Sequence, residues 1–296
     1  MKPAPFTLHR PTDVDTAVRL LAELHEGGAT VKVLAGGQSL VPMLSMRLVS
    51  PAHVIDIGAL PGLDDIAVTP QRVTVGALVR HRALERHEAA STLLPVLREA
   101  VRQVAHPTIR NRGTVVGSLC HADPSAELPA ALALVGGSVT ARSVRGDRTV
   151  AATEFFAAPL ETTLAEDELA VSANFPALPP GTGTSVVEIA RRHGDYAVCG
   201  VLAAVTLDAE GRVAAARATY VSAGDDRDPV DLTIPVAGAF PADADWAAAG
   251  GLARTRVATE ADLHATAAYR SRLVAVLTER ALRQAADRAT PRREAA

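Results

Sequence analysis

The chain has 296 residues, 48% of them hydrophobic, which is enough to bury a sizeable core and long enough for two or three domains rather than one. Its 30 basic and 33 acidic residues give a formal net charge of -3 with no cationic stripe to neutralise a phosphate backbone, so nucleic acid is not an expected partner. Cys120 and Cys199, the only two cysteines, lie far apart and outside any Cys-x-x-Cys spacing, which excludes a thiolate metal site or an iron–sulfur cluster built by this chain.

The first ten residues, a short extended lead, carry no signal-peptide apolar core. Thr12 can then cap a helix whose residues Val14, Ala17, Val18, Leu21 and Leu24 follow the helical spacing up to a Gly27-Gly28 stop. Val31 to Leu34 is predicted as a strand that runs directly into Ala35-Gly36-Gly37-Gln38-Ser39-Leu40. Val41 to Leu48 reads as a short helix with Ser39 as its cap, and His53 to Ile57 as another strand. From about Gly58 come short strands, including Arg72 to Val75, then helices His81 to Ala90 and Pro95 to His106, the latter with Pro95 in its first turn. Thr108 to Pro129 reads as loop-rich, ahead of an alanine-rich apolar helix. Val139 to Val144 and Arg148 to Ala151 form a predicted hairpin, and the Pro- and Gly-rich stretch Phe175 to Gly183 marks a domain boundary. Beyond it the pattern predicts strands Ser185 to Ala190, Val198 to Leu207 and Val213 to Tyr220, the last two joined through Glu210-Gly211. Helices from about Thr259 follow, with Leu273, Val276, Leu277, Ala281 and Leu282 on one face. No apolar run is long enough to cross a bilayer, and a cytoplasmic location without membrane insertion is the expectation.

Two segments carry candidate chemistry. A strand, then Ala35 to Ser39, then a helix is a recipe for anion binding, because backbone without side chains lets several N–H groups approach a diphosphate. The alternative is a tight turn, and the segment has neither the Gly-x-Gly-x-x-Gly spacing of a Rossmann turn nor a P-loop lysine. Thr114 to Ser118, with Asp123 and Glu127 close behind, adds a second small-residue turn and carboxylates able to accept bonds from sugar hydroxyls; its alternative is a surface loop. No general-acid pair, nucleophile triad or metal-ligand cluster accompanies them, so no catalytic or metal-binding residue is predicted. The pattern suits a chain that holds a phosphorylated cofactor and leaves the chemistry to it.

Leu34 to Leu40, then Ile109-Arg110-Asn111-Arg112-Gly113-Thr114 to Ser118 and His121-Ala122-Asp123-Pro124, in this order and spacing, resemble the FAD-binding flavoprotein subunits of molybdenum hydroxylases of the xanthine dehydrogenase and carbon monoxide dehydrogenase type. Arg191 to Ala197 and Tyr269-Arg270-Ser271-Arg272-Leu273 resemble C-terminal stretches of the same family, so the likeness spans nearly the whole chain. It implies an α+β protein: a two-subdomain FAD-binding fold of the vanillyl-alcohol-oxidase (PCMH) type in residues 1–57 and 58–176, and a C-terminal sheet-and-helices domain in residues 184–290. FAD would be held non-covalently by Leu34, Ala35, Gly36, Gly37, Gln38, Ser39 and Leu40 around its diphosphate. Thr114, Val115, Val116, Gly117 and Ser118 would approach it from the second subdomain, and Asp123 and Glu127 would bind its polyol or ribose hydroxyls. Leu169 falls where the family brings backbone to the flavin edge. Tyr196 would flank the ring, with a core tyrosine as its alternative reading.

The resemblance also implies partners: a small iron–sulfur subunit with two-iron clusters and a large molybdopterin subunit, assembled as a dimer of three-chain units. Electrons would leave through FAD to NAD, a quinone or oxygen. The alternatives are a stand-alone FAD-dependent oxidase or dehydrogenase and a flavin-free assembly subunit. The family usually has Thr-x-Gly-Gly-Ser or Thr-x-Gly-Gly-Asn where this chain has Val116 before Gly117, so either Val116 is extended and the loop keeps its shape, or FAD binds more weakly or is absent. Cys120, His121 and Cys199 read as packing or loop residues.

Overall fold

The computed structural model describes residues 2–224 and 226–289, so residue 290, the last of the expected C-terminal domain, lies outside the described residues. Helices and sheets are mixed, and the chain divides into two units. One gathers the chain up to His87 with His106–Ala122 and Gly137–Phe175; the other gathers Glu88–Ala105, Asp123–Gly136 and the chain from Pro176 onward. Among the described residues no helix is long and apolar enough to cross a membrane.

In the first unit, the opening helix Val14–Glu26 is capped by Asp13 rather than Thr12. The Asp13 carboxylate accepts the Thr16 N–H at 2.7 Å, and a negative charge beside a helix N-terminus gains more than a neutral hydroxyl would. Ala17, Val18, Leu21 and Ala22 form its buried stripe, and Gly28 turns the chain out at φ 72°. Parallel strands Thr7–His9, His53–Asp56 and Val31–Leu34 make a three-stranded sheet with His53–Asp56 in the middle. A five-stranded sheet runs Ile66–Thr69, Arg72–Gly76, Leu169–Pro176, Ser138–Ser143, Gly146–Ala151, the last two being the expected hairpin. Its central strand escapes the sequence pattern because a register shift between Ala170 and Ser172 breaks the alternation.

The predicted helix from His81 to Ala90 is two pieces, His81–Arg86 and Glu88–Leu93, because His87 turns extended at ψ 100°. The segment expected to be loop-rich also holds two short helices, Pro107–Arg110 and Val115–His121.

The second unit is built on an antiparallel sheet of Thr182–Ala190, Ala197–Leu207, Val213–Val221 and Val230–Asp231. Ala197 to Val205 is buried without interruption, the signature of a strand covered on both faces. The long helix Ala267–Arg288 packs on Thr182–Ala190 and Ala197–Leu207, while the wholly buried helix Glu127–Leu134 packs on Ala197–Leu207 and Val213–Val221, where Thr219 Oγ1 donates to the Ala130 carbonyl. Leu273, Leu277, Ala281 and Leu282 face the core as expected, but Val276 is 45% exposed. The helical region begins earlier than expected, with Trp246–Arg256. Gly250 and Gly251 disguise that helix; Gly250 is bare because a Cβ there would strike the Ala275 carbonyl of the neighbouring helix.

Candidate functional site

The strand Val31–Leu34 ends where Gly36 and Gly37 remove the side chains that would continue it. Gly37 takes φ 74°, a left-handed conformation that a β-carbon disfavours, and the chain then enters the helix Leu40–Met46. Ser39 stands at the N-cap but makes no side-chain cap bond, correcting the expected cap. The loop's polar side-chain bond is instead Gln38 Nε2 donating to the Gly36 carbonyl at 3.2 Å. The backbone N–H groups of Gly36, Gly37, Gln38, Ser39 and Leu40 meet no acceptor among the described residues. Consecutive unpaired donors on partly buried backbone are costly unless something outside the protein accepts from them.

Gly36, Gly37 and Gln38 line a cavity of about 690 Å³ together with Arg10, Asp56, Gly58, Arg80 and Arg112, and Ser39 and Leu40 follow directly behind this lining. Arg10 pairs with Asp56 at 3.5 Å. Arg80 donates to the Arg112 carbonyl, and its pKa is lowered first by burial and then by the Arg112 charge beside it. Two guanidiniums facing one space of unpaired N–H groups fit a diphosphate. The helix that follows is only seven residues long, so the free donors and the guanidiniums, rather than a helix dipole, are what this cavity could offer an anion. These arginines are absent from the sequence-based set, because residues 10, 80 and 112 are far apart in the chain. The signal that could have found Arg112 is its place directly before Gly113-Thr114.

Gly36 also marks where the loop meets its neighbour. A Cβ on it would lie 2.5 Å from the Arg112 carbonyl oxygen, 2.8 Å from Gly113 Cα and 2.9 Å from the Thr114 nitrogen. The structure thus brings Ala35–Leu40 against the start of Thr114–Ser118. That second segment is mostly self-satisfied: Val115 N–H bonds to the Val79 carbonyl at 2.9 Å, Gly117 N–H to Thr114 Oγ1 at 3.2 Å and Ser118 N–H to the Thr114 carbonyl at 3.0 Å. Val115 and Val116 turn their side chains into the core, Val116 being 2% exposed. Val116 is helical, within Val115–His121, and not extended; it requires no left-handed φ, so the backbone at this position does not call for glycine. Gly117 is the position that needs glycine, since a Cβ would collide with the capping Thr114 Oγ1. Leu169, also in this unit, opens the central strand of the five-stranded sheet, paired with Arg142 and buried.

Asp123, Glu127 and Tyr196 belong to the second unit. Glu127 opens its helix at 7% exposure, and burial, reinforced by the charge of Glu188, pushes its pKa up to about 8. Glu188, absent from the sequence-based set, has one buried oxygen without a partner and a pKa raised by burial to about 7. Tyr196 is 67% exposed, which removes the reading of it as a core tyrosine; partial burial of its hydroxyl and the charge of Asp123 raise its pKa. Burial pushes the Cys120 and Cys199 thiols up to about 12, so neither is a thiolate at neutral pH. Among the described residues no cluster of His, Cys, Asp and Glu could hold a metal ion.

Comparison with known proteins gives a concordant picture. Residues 4–178 match the model of the FAD binding domain in molybdopterin dehydrogenase. The chain is 38% identical to the 6-hydroxypseudooxynicotine dehydrogenase complex subunit alpha of Paenarthrobacter nicotinovorans over 99% of each chain. It is 36% identical to the caffeine dehydrogenase subunit beta of Pseudomonas sp. strain CBB1 over 97% of each. Its fold superposes with a TM-score of 0.89 and 31% identity, covering 98% of this chain and all of the other, on a chain in the structure of carbon monoxide dehydrogenase from Hydrogenophaga pseudoflava that lacks the Mo-pyranopterin moiety of the molybdenum cofactor. The α+β, PCMH-type architecture expected from the sequence agrees with these matches.

Proposed function

Since the chain belongs to the family of FAD-binding domains of molybdopterin dehydrogenases, we propose that it is the flavin-carrying subunit of a molybdenum hydroxylase complex, an oxidoreductase whose substrate is transformed on another chain. The observation that carries this reading is the run of unpaired N–H groups from Gly36 to Leu40 beside Arg80 and Arg112, which fits the FAD diphosphate. Ala35 to Leu40 would bind it with backbone donors, Arg80 and Arg112 would neutralise it, and Asp123 and Glu127 would accept from sugar hydroxyls. Thr114 to Ser118 would contribute chiefly shape. Leu34 and Leu169 would offer backbone and packing, and Tyr196 would flank the ring.

FAD held by Ala35 to Leu40 with Arg80 and Arg112 would supply redox chemistry between two-iron clusters on a small partner subunit and NAD, a quinone or oxygen. The protein's own part is to hold and orient the cofactor and to present it to its partners. A large molybdopterin subunit completes the unit, two units form the assembly, and the location is cytoplasmic. The division into residues 1–57, 58–176 and 184–290 belongs to the same proposal.

The test is the visible spectrum and native mass of the protein purified from its own host without added cofactors. A yellow-brown complex with FAD, iron, molybdenum and two further polypeptides is expected. A yellow protein of this chain alone would support a stand-alone flavoenzyme, and a colourless complex a flavin-free assembly subunit.

A further inference from the structure

His81 stands behind the cavity wall and is not among its lining residues. Its side chain is 5% exposed, and neither ring nitrogen makes a well-formed hydrogen bond among the described residues, although the Thr114 backbone lies near enough to favour the charged ring slightly. Such a ring contributes shape rather than bonds. What it shapes is Gly113: a Cβ there would lie 3.0 Å from His81 Cε1 and from Nδ1, so the ring lies against a bare α-carbon. The same Gly113 is in van der Waals contact range of Gly36, whose added Cβ would come within 2.8 Å of it. The backbone is stitched at the same place. His81 N–H donates to the Gly113 carbonyl at 2.9 Å, Val115 N–H to the Val79 carbonyl at 2.9 Å, and Arg80 bridges Thr114.

We propose that His81 is a positioning residue for the cofactor cradle: its uncharged ring braces Gly113, and through it the Gly36 loop, so that a proton on the ring loosens FAD. This rests on the flavin reading above. The charges acting on the ring are Arg110 from the helix Pro107–Arg110 and Arg80 at the head of its own helix; Glu85, one turn on, pairs with Arg82 at 2.9 Å and Arg110 at 3.2 Å. A second positive charge among these arginines, in a buried site, is strongly disfavoured.

Burial lowers the His81 pKa from 6.5 to about 4; the Thr114 backbone offsets part of this, and Arg110 and Arg80 add to it. The sign follows from linkage. The braced state refuses the proton until about pH 4, whereas a loosened state takes it near the ordinary value, so protons favour loosening. Retention is therefore nearly complete above about pH 7.5 and falls as pH drops, by up to tenfold per unit, levelling off below pH 4 at about 300-fold in all.

The experiment measures FAD affinity of the full chain by flavin fluorescence from pH 7.5 to 4.5, with far-UV circular dichroism to follow folding, for wild type, His81→Gln and His81→Phe. Wild type should weaken by about 40-fold between pH 6.5 and 4.5, and the untitratable variants by at least tenfold less. Equal slopes in all three would overturn the proposal. Should both variants fail to fold, NMR titration of the His81 ring in wild type decides. Its pKa should rise when FAD is removed, and an unchanged value overturns the proposal. A chain that binds no FAD at pH 7.5 overturns the flavin reading and this inference together, whereas FAD binding with equal slopes overturns this inference alone.

Discussion

Residues 35–40 lead into a seven-residue helix and residues 114–118 form the cap and first turn of another, yet the two segments dispose of their backbone donors in opposite ways. At Thr114 the side chain caps its own helix and Val79 takes the next N–H, so the segment closes on itself. At Ser39 the hydroxyl caps nothing, and the N–H groups from Gly36 to Leu40 stay unpaired. A run of small residues therefore marks a ligand cradle only where the protein leaves the donors free. The same spacing can instead serve to bury two valines behind a cap.

The largest effect should come from joining the two segments wrongly. Gly36→Ala places a methyl within 2.9 Å of the Arg112–Thr114 backbone, which cannot yield as a flexible side chain could. It should cost about 3 kcal/mol in urea unfolding and abolish flavin retention on gel filtration. Val116→Gly should cost nearly as much stability, about 2 to 3 kcal/mol, from the lost side chain and the helix penalty, but leave flavin occupancy unchanged. Flavin loss in a folded Val116→Gly protein would dissolve the contrast between the segments. Thr114→Val removes the cap and should lower stability by about 1 kcal/mol in the same assay. Ser39→Ala, with no cap bond to lose, should change stability by less than about 0.5 kcal/mol, and a drop like that of Thr114→Val would show that Ser39 caps after all.

Much of this was legible in the sequence. The glycine pair after Val31–Leu34, the break at Gly27-Gly28 and the long strands of the second unit all follow from local chemistry that needs no tertiary partner. What escaped depends on distant residues. The Trp246–Arg256 helix tolerates Gly250 because the Ala275 backbone approaches there, and the central strand Leu169–Pro176 is fixed by its neighbours in the sheet. Arg10, Arg80, Glu188 and His81 likewise acquire their places only once the chain is folded. Val116 shows the converse: a family pattern suggests a backbone that needs glycine, and only the folded chain shows Val116 helical and buried without a left-handed φ.

The most direct test of the cradle is hydrogen exchange of individual backbone amides in the full chain, with and without FAD. The account predicts fast exchange at Gly36 to Leu40 without FAD and strong protection with it, while Gly117 and Ser118 are protected in both states. Amides at Gly36 to Leu40 that exchange equally fast with FAD bound would contradict it.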